Sequence, residues 1–170
     1  YTANKRPRTS DDYSPGSKTG LRPDRASIVY ANRIREAFNI IPIVLGGIEA
    51  SLRRLAHYDY WDNTVRRSLL LDTRADILVY GMGEAPIREI AQDLAQGKDV
   101  QSLDHIRGTV VIRNDLSCLK EYEEIPSFEE VKSNPGKYNE AFRLAYLEQN
   151  PFSAKPLAQK HQNRYVIQFP

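Results

Sequence analysis

The stretch His57-Tyr58-Asp59-Tyr60-Trp61-Asp62 gathers one imidazole, two carboxylates and three aromatic rings into six residues. Imidazole changes charge near neutral pH and can serve as acid, base or metal ligand, while aromatic rings line pockets or stack on flat ligands. The same residues equally suit a loop whose rings cover a core while an aspartate caps the next helix. Arg53-Arg54 and Arg66-Arg67 flank the block, which fits an anionic partner or pairing with the nearby acids. Two glycine-rich turns are the other chemical candidates: Gly46-Gly47-Ile48-Glu49-Ala50-Ser51 and Gly81-Met82-Gly83-Glu84. Glycine lets a backbone approach a ligand closely or adopt positive φ, and strand-to-helix turns use it for the same geometric reason without any ligand.

Several familiar motifs are absent. Gly81-Met82-Gly83 begins like a dinucleotide fingerprint, but Pro86 stands where the third glycine belongs. Ser14-Pro15-Gly16-Ser17-Lys18-Thr19 departs from a phosphate-binding loop, because Ser17 precedes the lysine and no strand precedes the motif. His57, His105 and His161 lie far apart without ligand spacing, and Cys118 is the one cysteine, so no metal site is expected within these residues.

The elements that would position these turns follow from apolar periodicity. Arg22-Pro23-Asp24 opens a helix in which Ile28, Val29, Ala31, Ile34, Ala37 and Phe38 recur at helical spacing. Ile40 to Leu45 is a short continuous apolar run closed by Gly46-Gly47, the mark of a strand buried on both faces, and a helix is expected from about Ile48 to Leu55. Ala75 to Tyr80, the Gly81–Gly83 turn and a helix over Glu84–Gln96 repeat the pattern, and Thr109–Ile112 reads as a further strand. Two strand–glycine–helix units predict an α/β fold: a partial, truncated open parallel sheet with flanking helices. In such sheets ligands sit beyond the carboxyl ends of the strands, where both glycine turns fall. Ser127 and Glu130 have capping-box spacing, Lys137–Gln149 is helical, and Arg164–Phe169 closes as a strand. The expected organisation is an extended arm over 1–21, an α/β region over 22–116 and a helical connector over 117–170.

Composition bounds the partners. The net charge of +2 does not imply nucleic acid, although Lys5, Arg6, Arg8, Lys18, Arg22 and Arg25 make the first 25 residues basic and 121–130 leans acidic. No apolar run approaches the roughly 20 residues of a membrane span, and no signal segment opens the chain, so a cytoplasmic protein is expected. The start at Tyr1 and the stop at Pro170 read as the ends of an internal piece. A truncated sheet would leave an edge strand open to homodimer formation.

Five blocks in order resemble the amino-terminal region of YgiQ-type radical S-adenosylmethionine proteins: Tyr1-Thr2-Ala3-Asn4-Lys5-Arg6-Pro7-Arg8, Arg22-Pro23-Asp24-Arg25, Gly46 to Arg54, His57 to Trp61 and Val79 to Glu84. The likeness continues through Ile125–Glu130. It implies a cobalamin-binding-type, flavodoxin-like α/β region that precedes a radical SAM barrel in one longer chain. For the whole protein it implies a [4Fe-4S] cluster and cleavage of S-adenosylmethionine. Such a cluster needs three thiolates, which Cys118 cannot supply, so no cofactor is expected in this piece. The cobalamin motif D-x-H-x-x-G is missing as well: Asp104 and His105 are adjacent, and no Asp stands two before His57. The reading is an accessory region whose Gly46, Gly47, Glu49, Ser51, Gly81, Gly83 and Glu84, with His57, Tyr58, Asp59, Tyr60 and Trp61, face the barrel or its substrate. The rival readings are a stand-alone module gripping RNA or an acidic partner with its basic arm, and a small-molecule enzyme using Glu49, His57 and Asp59.

Overall fold

A computed structural model describes residues 4–150 and 152–170. Tyr1-Thr2-Ala3, the head of the arm and of the first resemblance block, lie outside the described residues. The α/β class and the open sheet flanked by helices are as expected. Within the described residues the chain folds as α1 (Ala26–Ala37), β1 (Val44–Leu45), α2 (Gly47–Leu52), β2 (His57–Asp59), β3 (Thr64–Arg66), α3 (Leu69–Thr73), β4 (Ile77–Val79), α4 (Glu84–Ala95), β5 (Thr109–Arg113), β6 (Glu123–Ile125), α5 (Phe128–Ser133), α6 (Pro135–Leu147), β7 (Leu157–His161) and β8 (Arg164–Phe169).

Six strands form one sheet in the order β1-β4-β5-β8-β7-β6, and β2 and β3 form a separate hairpin. The sheet is mixed in direction. β1 and β4 run parallel, as their strand–glycine–helix units predict, and β6 pairs parallel with β7, whereas the three central pairs are antiparallel. The two-residue turn Gln162-Asn163 forces one of these reversals, with Gln162 at φ 57. Three of the six strands come from residues 117–170, where only the last strand is expected from the apolar pattern.

Period-two alternation assigns the two faces of the sheet. Val110 of β5 and Val166 of β8 join Leu78, Leu69 and Leu70 under α1 and α3. Their neighbours Val111 and Ile167 point the other way, joining Val79, Ile90, Ile106 and Phe169 beneath α4. A third cluster of Ile125, Val131, Ala141 and Leu157 seats α5 and α6, and Val65 of the hairpin packs on it.

The expected strand over Ile40–Leu45 shrinks to Val44–Leu45. Pro42 has no N–H for a ladder, and Ile40 is 94% exposed ahead of it. Both sheet edges are short, and β6 carries Glu123 and Glu124, features that blunt pairing with a second sheet. No helix among the described residues is long and apolar enough to cross a membrane.

α5 starts as its spacing predicts. Glu130 N–H donates to Ser127 Oγ at 3.3 Å while Glu130 Oε2 accepts from Ser127 N–H at 2.8 Å. Ser127→Ala removes one side of this reciprocal cap and is expected to cost about 1 kcal/mol, measured as a lowered urea midpoint at unchanged m-value.

Candidate functional site

The parallel pairing of β1 with β4 brings their carboxyl ends side by side. Each strand then turns into a helix, and the two turns wall an open cleft of 430 Å³ lined by Val44, Leu45, Gly46, Gly47, Val79, Gly81, Gly83, Glu84 and Ile87. Gly47 at φ 87 and Gly81 at φ 68 occupy left-handed conformations that a side chain would strain. Gly83 is required for a different reason, because a Cβ there would sit 3.0 Å from Val79 Cγ1.

Ser51 joins the two turns. Its hydroxyl accepts from Gly81 N–H at 3.1 Å and donates to Gly47 O at 2.9 Å, so α2 and the β4–α4 turn hold one another in register. Glu49 is committed elsewhere: it accepts from Ser27 Oγ at 2.5 Å and from Arg53 Nη1 at 2.9 Å, tying α2 to the start of α1. Glu84 stands exposed in the first turn of α4 and leaves the cleft rim acidic. Arg54 braces the site from below, a role that its sequence neighbours did not signal. Its guanidinium lies 4.8 Å above the Tyr80 ring, and its Nε donates to Gln168 Oε1 at 2.7 Å. Burial lowers the Arg54 pKa, partly opposed by Tyr80.

His57 to Trp61 do not line this cleft; they build the β2–β3 hairpin. Asp59 is 2% exposed and accepts from Arg25 Nη2 at 2.9 Å and Trp61 N–H at 2.9 Å. Burial alone would raise its pKa, but the Arg25 and Trp61 hydrogen bonds outweigh that and hold the carboxyl below its ordinary value. Arg25 also pairs with Asp62, which Arg66 contacts at 3.1 Å. His57 Nδ1 lies 3.2 Å from Leu55 O, and burial pushes its pKa down. Tyr58 N–H donates to Tyr138 Oη at 3.2 Å, linking the hairpin to α6. Tyr60 and Trp61 meet edge to face at 6.1 Å, with Lys5 Nζ 4.5 Å from the Tyr60 ring centroid.

The residues proposed for a stand-alone acid–base site are therefore separately engaged, Glu49 with Ser27 and Arg53 and Asp59 with Arg25. Basic residues of the first 25 are engaged too. Lys5 donates to Trp61 O at 3.0 Å, Arg22 pairs with Asp11, and Arg25 serves the hairpin. Cys118 is exposed and single, and among the described residues no three His, Cys, Asp or Glu side chains cluster as metal ligands. This donor set does not fit a radical SAM cluster, which takes three thiolates.

A family model for the Radical SAM N-terminal region matches residues 1–170. Similar chains include a UPF0313 protein of Clostridium botulinum, 57% identical over all of this chain and 26% of its own length. A UPF0313 protein of Geobacter sulfurreducens is 51% identical over 98% of this chain and 28% of its own. One from Methanocella arvoryzae is 46% identical over all of this chain and 28% of its own. The chain thus spans about a quarter of the length of the curated relatives it matches. No solved structure matches it.

Proposed function

The chain belongs to the Radical SAM N-terminal family, and on that premise we propose that it is an accessory region, not itself catalytic, that packs its glycine cleft against the radical SAM barrel of the same longer chain. The observation that carries this reading is the set of exposed apolar side chains on the two segments that wall the cleft. Ile48 is 80% exposed, Leu52 71% and Met82 90%, on adjacent segments of α2 and the β4–α4 turn. Large apolar side chains left exposed on neighbouring segments mark an interaction surface more than a solvated one. The remainder of the longer chain is the occupant, since most of each matched relative lies beyond this region. The [4Fe-4S] cluster and S-adenosylmethionine then belong to that remainder. The hairpin contributes a second contact through Tyr60 and Trp61, 53% and 41% exposed.

Hydrogen exchange on the full-length protein tests the docking. Amides of residues 46–52 and 81–87 are expected to be protected there and to lose protection when Ile48 and Met82 are both replaced by Asp. Reductive cleavage of S-adenosylmethionine should survive that change, because the cluster lies elsewhere. Rapid exchange of both segments in the unmodified protein would remove the reading.

A further inference from the structure

A second cleft, of 540 Å³, lies at the opposite end of the sheet from the glycine turns, where β4 begins, β5 ends and β8 begins. Arg74, Arg113 and Arg164 line it, together with Gln101 and Asn114. Its one carboxylate, Asp76, is already engaged: Oδ2 accepts from Arg35 Nη2 at 2.7 Å and Ile43 N–H at 2.8 Å, and Oδ1 accepts from Gln101 Nε2 at 3.2 Å. Arg113 reaches Asp104 only at 4.0 Å, and its Nη2 is buried with no hydrogen-bond partner among the described residues. Arg74, exposed and in the left-handed conformation at the end of α3, has no carboxylate within ion-pair distance among the described residues, and neither has Arg164. Like charges gathered around one cleft repel unless an anion is bound there.

We propose that this cleft binds the phosphoryl group of a small phosphorylated molecule. The choice of anion follows from geometry. A planar carboxylate fills one guanidinium fork, whereas a tetrahedral phosphoryl group accepts from several directions at once, which suits Arg74 and Arg164 reaching the cleft from a helix end and a strand. A recess bounded by strand ends suits a small ligand, while a nucleic-acid polymer needs a basic stripe that the net charge of +2 does not supply. The site is independent of the docking face, since no residue lines both clefts.

Calorimetric titration of full-length protein with inorganic pyrophosphate, at constant ionic strength, tests this. Saturable binding is expected, weakened about ten-fold or more in the Arg74→Gln/Arg164→Gln double variant. Both side chains are exposed, so the melting temperature without ligand should not fall. Arg88→Gln on α4, outside the cleft, should leave the affinity unchanged. Absent saturation, or affinity unchanged in the double variant, would overturn the proposal. So would single-stranded RNA that binds at this cleft and is not displaced by pyrophosphate.

Discussion

Asp59→Ala is expected to destabilise the protein by about 3 kcal/mol, read as a fall in the free energy of urea unfolding at pH 7. The carboxylate side chain is 1% exposed and meets Arg25 at 2.9 Å, so its loss breaks a buried pair, a change that typically costs about 3–5 kcal/mol. The lower end applies because Arg25 keeps Asp62 and is itself 28% exposed, so the guanidinium is not stranded. The Trp61 N–H loses its acceptor as well, which frees the tip of the hairpin. A loss below about 1 kcal/mol would mean that Arg25 and Asp62 hold the hairpin without Asp59. The pH dependence has a definite sign. With its folded pKa held below the ordinary value, Asp59 contributes fully above about pH 4, and that contribution is lost as pH falls through the lowered value.

The second large effect sits at the far end of the chain. His161 is 4% exposed, its ring stacks on Phe128 at 5.4 Å, and its Nδ1 has no hydrogen-bond partner among the described residues. Burial lowers its pKa to about 4, helped by the charges of Arg67 and Arg164 and opposed by Asp72. The unfolded chain therefore takes up a proton near pH 6.5 that the folded chain refuses until about pH 4. Stability is unaffected by this group above pH 6.5, falls as pH drops between those values, and loses nothing further below about 4. From pH 7 to 5 the loss is about 2 kcal/mol. His161→Phe keeps the stacking and leaves Gln159 Oε1 accepting from Ala56 N–H at 2.7 Å. The variant is expected to lose that portion of the pH slope and to be the more stable protein at pH 5. Parallel pH profiles for the two proteins would show that the histidine is protonated in the fold.

These two residues also mark where sequence reading succeeds and where it stops. The glycine turns and the helices after them were legible, because an apolar run ending in glycine leaves the chain few alternatives, and the cleft lies where the parallel pair predicts. The hairpin was not legible as a hairpin. Its turn contains no glycine: Asn63 takes the positive φ instead, at 51°, and Asp59 supplies the side-chain bond that closes it. β7 was missed for the opposite reason. Leu157-Ala158-Gln159-Lys160-His161 looks too polar for a core strand, yet Gln159 is 1% exposed because Ala56 N–H and Pro126 O satisfy its amide. Pairings across the chain, such as Ser51 with Gly81 and Arg54 with Gln168, depend on the strand order, which no local pattern encodes.

The position of β8 between β5 and β7 also governs the timing of folding during synthesis. The strands nearer the amino end, β1, β4 and β5, meet the pair β6 and β7 only through β8. As the polypeptide leaves the ribosome, every other strand of the sheet emerges before its keystone does. Until residues 164–169 are clear of the exit tunnel, Val111 and Ala158 have no strand between them. A nascent chain halted before Arg164 therefore lacks the strand that joins the two sides of the sheet.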